Sequence, residues 1–220
     1  MFRRIVFVAA LAGLIAGLVA SGVQALRVVP LIHAAEVFEA AAPTMPTGHH
    51  HDDEGWAPAE GMERVGLTVV ANVLVGIGFG FLLASAFTLT GKADWRRGLL
   101  WGAAGFATFT LAPSLGLPPE VPGAAAGPLA DRQLWWIGTV AATAIGLALV
   151  VFPRRWPLAL LGVALIAAPH LIGAPPAVGE GSAPAALARD FIIAALVASL
   201  LFWLALGAAA GFFFRRFSAA

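Results

Sequence analysis

The side chains best able to hold a metal crowd into one short stretch, "TGHHHDDEGWAPAEGMER" at 47–64, which carries three of the five histidines and five of the twelve carboxylates. His49, His50, His51, Asp52 and Asp53, with Glu54 beside them, mix imidazoles, which suit cobalt, nickel, zinc and copper, with carboxylates that add charge and fit harder ions. That mixture favours a borderline divalent transition metal. Consecutive histidines on a loop fix a single geometry poorly, so the run reads as a capture or handover element better than as a rigid structural site. A solvated polar loop is the plainer alternative. A purification tag is not, because three histidines inside the chain are too few and wrongly placed.

Five further places offer chemistry, each with a plain counterpart. His33 and Glu36 in "PLIHAAEVFEA" are spaced i, i+3 and can share one cation if the helix continues past Pro30; a solvated pair at a helix end has the same spacing. Glu60, Glu63 and Arg64 offer either a second ligand set or carboxylates that stabilise a helix start. Three prolines in "GLPPEVPG" stiffen a loop around one charge, Glu120, as a gate or ligand requires, although prolines also simply end helices. Arg132, Trp136, Thr139 and Thr143 share a helix face with Trp135 nearby; they line a path or anchor the chain at a membrane interface. His170, in "APHLIGAPP", is a functional candidate at membrane depth and an ordinary residue at the interface.

The elements that must position these residues are set by composition. Hydrophobic residues make up 60% of the 220-residue chain and charged residues 11%, with a mean hydropathy of +0.89; a soluble domain carries about 25% charged residues. The expectation is a single all-α integral membrane domain over 1–220, with a His- and acid-rich loop at about 40–64. Six apolar segments, 5–26, 65–89, 98–115, 134–152, 156–172 and 191–214, approach the ~20 residues that a spanning helix needs. They lack the alternation of barrel strands. The basic start and small residues near Val23 resemble a signal peptide, but the apolar run is too long for one, and a retained span is the expectation.

Charge position orients the bundle. Arg3, Arg4, Lys92, Arg96, Arg97, Arg154, Arg155, Arg215 and Arg216 fall on one side, nine of the thirteen basic residues, and the positive-inside rule makes that side cytoplasmic, with both termini inside. Eleven of the twelve carboxylates, all but Asp94, and all five histidines then lie outside or at outer helix ends. A net charge of +1 gives no field for nucleic acid, and the lack of cysteine excludes disulfides and thiolate metal sites. No P-loop and no HExxH helix occurs. The apolar segments carry no carboxylate, which argues against a self-contained proton-coupled pump.

The HAAE motif, the histidine loop running into "WAPAEGMER", "GLPPEVPG" followed by "DRQLWWIGTVAATAIGL", and "APHLIGAP" occur in the order that resembles the CbtA family of proposed bacterial cobalt transporter subunits. The resemblance implies a non-enzymatic multi-pass permease subunit of the bacterial cytoplasmic membrane, supplying cobalt for cobalamin synthesis beside a small single-span partner, CbtB, that has its own histidines. Cobalt(II) or another divalent transition metal would be the transported or bound ion, with no covalent cofactor. The likeness draws attention to His33, Glu36, His49, His50, His51, Trp56, Pro58, Glu63, Arg64, Pro118, Pro119, Glu120, Arg132, Gln133, Trp135, Trp136 and His170. The run "HHHDDE" departs from the alternating histidines associated with the family. A membrane metal-binding or assembly module that does not transport is the rival of another class; a metallohydrolase would need three ligands and a catalytic carboxylate at one depth.

Overall fold

Hydrocarbon offers the backbone no water, so each crossing segment must satisfy its own N–H and C=O groups, and the apolar stretches here do so as helices. The computed structural model describes residues 2–41, 61–91, 93–153, 155–179 and 181–218; the histidine and aspartate run at 49–53 lies outside the described residues. Six helices follow in order: α1, Phe2–Ala41; α2, Met62–Thr90; α3, which begins as Trp95–Phe106 and continues to Ser114; α4, Leu129–Val151; α5, Trp156–Ile172; and α6, Ala185–Arg216. They coincide with the six apolar segments, and α1, α2, α4 and α6 are long and apolar enough to cross a membrane.

Two prolines shape the bundle. Pro30 and Pro113 each lack the N–H that would bond four residues back, and each ring crowds the carbonyl there. The ladder widens just upstream in both helices. A π-helical turn occupies Gln24–Val28 in α1, closed by Val29 N–H onto the Gln24 carbonyl five residues away; another occupies Ala107–Leu111 in α3, closed by Ala112 N–H onto Ala107. Both turns end two residues before their proline, so the extra residue absorbs the break without ending the helix. Because α1 thus continues for 40 residues, about 60 Å at ~1.5 Å per residue, it is twice as long as the ~30 Å hydrocarbon layer. Its second half, with His33, Glu36 and Glu39, projects beyond the apolar span.

Small residues set the close seams. In α1 and α2, a Cβ added to Gly76 would lie 2.6 Å from the Gly13 carbonyl oxygen, and one on Gly80 would lie 2.9 Å from that of Ala9. The same holds between α3 and α6, where a side chain on Gly98 or Gly207 would strike the facing backbone, and between α4 and α5, where Gly162 and Gly146 face each other. Such stripes let backbones approach where water supplies no hydrophobic drive between helices. The spacings of Gly76–Gly80, Gly98–Gly102 and Gly207–Gly211 are legible as contacts; the Gly13 and Gly146–Gly162 contacts are not singled out by sequence alone.

Helix α6 runs through the centre, packed against α1, α2 and α3, while α4 and α5 pair with each other and join through α3. The core between α1, α2 and α6 contains Val8, Phe87, Trp203, Leu206 and Phe214. Phe79, Phe109 and Trp203 close it towards α3, with Phe109 stacked on Trp203 at 5.5 Å between centroids and Phe79 4.6 Å from Trp203. Outside this core the bundle presents Leu18, Val70, Leu74, Leu100, Ile137, Leu161 and Ile193 outward, as a lipid-facing surface requires.

The two ends differ. At the basic end, Asp94 caps α3 by accepting from the N–H groups of Arg96 and Arg97 at 2.9 and 3.0 Å, while Gly91 ends α2 at φ 67°, a conformation that favours glycine. Backbone hydrogen bonds hold the Asp94 pKa below the ordinary carboxylate value, that from Arg97 being the largest cause. At the acidic end the proline loop folds onto the start of α6: Val121 is buried with Val28, Ala35 and Phe191, and Gly123 accepts from Ser182 N–H at 3.1 Å.

Candidate functional site at the acidic end

His33 and Glu36 bond to one another. Their i, i+3 spacing brings His33 Nδ1 within 3.0 Å of Glu36 Oε2, and Arg64, arriving from the first turn of α2, donates from Nη2 to Glu36 Oε1 at 2.8 Å. Both carboxylate oxygens are therefore engaged. The Arg64 hydrogen bond, followed by that from His33, lowers the Glu36 pKa. When Nδ1 carries the proton, this contact leaves the Nε2 lone pair of His33 for a ligand, the arrangement in which a carboxylate orients a metal-binding imidazole from behind. Glu63 is exposed in the first turn of α2, where its charge also suits the helix start.

A second acid–arginine pair stands on the proline loop. Arg132, near the start of α4, donates from Nη2 to Glu120 Oε2 at 2.6 Å. Pro118, Pro119, Val121 and Ile192 wall a cavity of about 260 Å³ around it. His170 belongs to neither pair, although its cavity and that of Glu120 and Arg132 share Gly116, Pro175 and Ala177. Its ring meets Trp135 edge-on at 6.0 Å, and Trp135 is itself fixed by donating from Nε1 to the Pro169 carbonyl at 3.3 Å. The His170 Nε2 atom is buried and has no partner among the described residues; it borders a cavity of about 480 Å³ formed with Leu115, Gly116 and the Pro175–Pro176 turn.

Among the described residues no three His, Asp or Glu side chains converge as a set able to hold a metal ion. The structure brings Arg64 to Glu36 and Arg132 to Glu120, neither of which their own helix spacing reveals. Along α4, Thr139 and Thr143 are buried, and Thr139 returns its hydroxyl to the Trp135 carbonyl at 2.9 Å.

Sequence reasoning also passed over Ser21 and Gln24. Asn72 donates one amide hydrogen to Ser21 Oγ at 3.0 Å and the other to Gln24 Oε1 at 2.8 Å, while Thr110 and Ser199 share a hydrogen bond of 2.8 Å. The available signals were a glutamine at the end of an apolar segment and the proline six residues beyond it.

The architecture defines a multi-pass all-α membrane protein in which, among the described residues, both histidines and every carboxylate but Asp94 lie towards one end. The chain belongs to the CbtA family, described as "Probable cobalt transporter subunit", whose model matches residues 2–215. No curated protein and no solved structure matches it.

Proposed function

We propose that this protein admits divalent cobalt through the bacterial cytoplasmic membrane, for cobalamin synthesis, as the multi-pass subunit beside a small histidine-bearing single-span partner of the CbtB kind. The observation that carries this reading is the family match over 2–215, which spans all six helices. Both termini and the basic end face the cytoplasm, a reading supported by the arginine distribution. The loop containing His49, His50, His51, Asp52 and Asp53 gathers metal outside, with Glu63 a further ligand at the start of α2, and His33, Glu36, Glu120 and His170 form the mouth.

The geometry supports a division of labour at that mouth. His33 offers an imidazole nitrogen while Glu36 orients the ring, and Arg64 balances the carboxylate until a cation arrives. Glu120 is balanced by Arg132 in the same way. A divalent ion competes with a guanidinium at each carboxylate, so these pairs act as latches. The rival reading, a metal-binding or assembly module without transport, draws support from the absence of carboxylates in the apolar segments and of a three-ligand set among the described residues.

Radioactive cobalt uptake in proteoliposomes decides between them. Protein-dependent, saturable accumulation is expected; metal binding without accumulation would leave the module reading. Single cysteines at Thr47 and Ala93 should label from opposite faces with an impermeant reagent, and labelling of both from one face would overturn the proposed orientation.

A further inference from the structure

Roughly 10–20 Å below the acidic end by helical rise, a partly open cavity of about 350 Å³ lies between α1, α2, α3, α4 and α6, with Val75 and Trp136 half-exposed at its edge. Gln24, Asn72, Thr110 and Ser199 supply its polar wall, and Trp136 and Trp203 are among its aromatic lining residues. Both π-turns border it: Gln24 belongs to the first and Thr110 to the second. Each turn is a local change of register, and such changes recur at functional sites because they re-aim side chains. Here they turn polar groups into one apolar bundle from two helices.

We propose that this chamber holds the divalent ion as its intact hydrate, at a waiting point between the mouth and the basic end. The inference rests on the transport reading above. Polarity and size carry it. No lining side chain is ionisable, so the chamber lacks the charge needed to compensate a bare divalent ion stripped of water. Six waters at about 30 Å³ each occupy roughly 180 Å³, well within the 350 Å³ present.

Metal-bound waters donate hydrogen bonds, and the wall supplies acceptors. Asn72 spends its two amide hydrogens on Ser21 and Gln24, which turns its carbonyl oxygen over to the occupant. The hydroxyls of Thr110 and Ser199 accept on the opposite side. Neutral acceptors also hold the hydrate weakly enough to release it.

The test uses hexaamminecobalt(III), whose ammine ligands donate hydrogen bonds as water does but do not exchange. Its binding to the purified full chain is read by tryptophan fluorescence, because Trp136 and Trp203 line the chamber. Saturable quenching is expected, with affinity weakened at least tenfold in Asn72→Leu and several-fold in the shape-conserving Thr110→Val. Unsaturable quenching, or unchanged affinity in a folded Thr110→Val, would overturn the proposal.

Cobalt uptake measured in parallel separates the two readings. Uptake that persists unaffected by saturating hexaamminecobalt(III) would refute the hydrate chamber while leaving transport intact. Chamber binding that responds to both substitutions, without any cobalt uptake by the parent protein, would support the chamber and refute transport.

Discussion

Gly76 and Gly78 lie two residues apart in α2 and face nearly opposite directions, which makes them a paired test of the α1–α2 seam. A Cβ on Gly76 would sit 2.6 Å from the Gly13 oxygen and 3.1 Å from its carbonyl carbon and Cα, all backbone atoms that cannot swing aside; one on Gly78 meets nothing within 4 Å. Ordinary contact begins near 3.5 Å, so Gly76→Ala asks the helices to part by roughly 1 Å. Overpacking of this kind costs about 1–3 kcal/mol. The helix-propensity gain from glycine to alanine, up to ~1 kcal/mol, is common to both variants and cancels between them. Gly76→Ala should therefore be about 1–3 kcal/mol less stable than Gly78→Ala, read by reversible unfolding in mixed micelles. Because the seam holds Asn72 against Gln24 and Arg64 against Glu36, Gly76→Ala should also lower cobalt uptake per folded molecule, and Gly78→Ala should not. Equal stability of the two variants would refute the seam geometry and the dependence of both sites on it.

Two other outcomes follow from the ends of the bundle. The lowered Asp94 pKa means that its contribution to stability is complete above the unfolded-state value of 3.8 and is lost as pH falls through the lower folded-state value; Asp94→Asn, which keeps a capping oxygen, should lack this acid-dependent loss in melting curves taken below about pH 4, and an unchanged acid limb would contradict it. In uptake kinetics, joint replacement of His49, His50 and His51 by alanine should weaken transport at scarce metal and spare it at high metal, since a loop raises local concentration. His33→Ala, Glu36→Ala, Glu120→Ala or His170→Ala should instead lower the maximal rate, and wild-type rates in all four would remove the proposed mouth.

The apolar segments were legible because lipid leaves one solution for an uninterrupted hydrophobic run, and the helices occupy each of them. The pairing of His33 with Glu36 was legible as well, since i, i+3 spacing is local. Arg64 and Arg132 were harder to assign because their partners depend on how separate segments meet, information that no single helix contains. Gln24 was harder still. A regular helix would assign its direction by counting at 100° per residue, but the π-turn ahead of Pro30 inserts a residue into the ladder and changes that count. Pro113 does the same to Thr110 in α3. The seam compounds this effect: Gly13 against Gly76 fixes α1 beside α2, and the turn then aims Gln24 at Asn72. Polar wall and helix seam thus have one physical origin, small residues that bring backbones together and prolines that alter the register between them. Reading glycines only as packing sites and prolines only as helix ends separates these effects, whereas their combination builds the chamber.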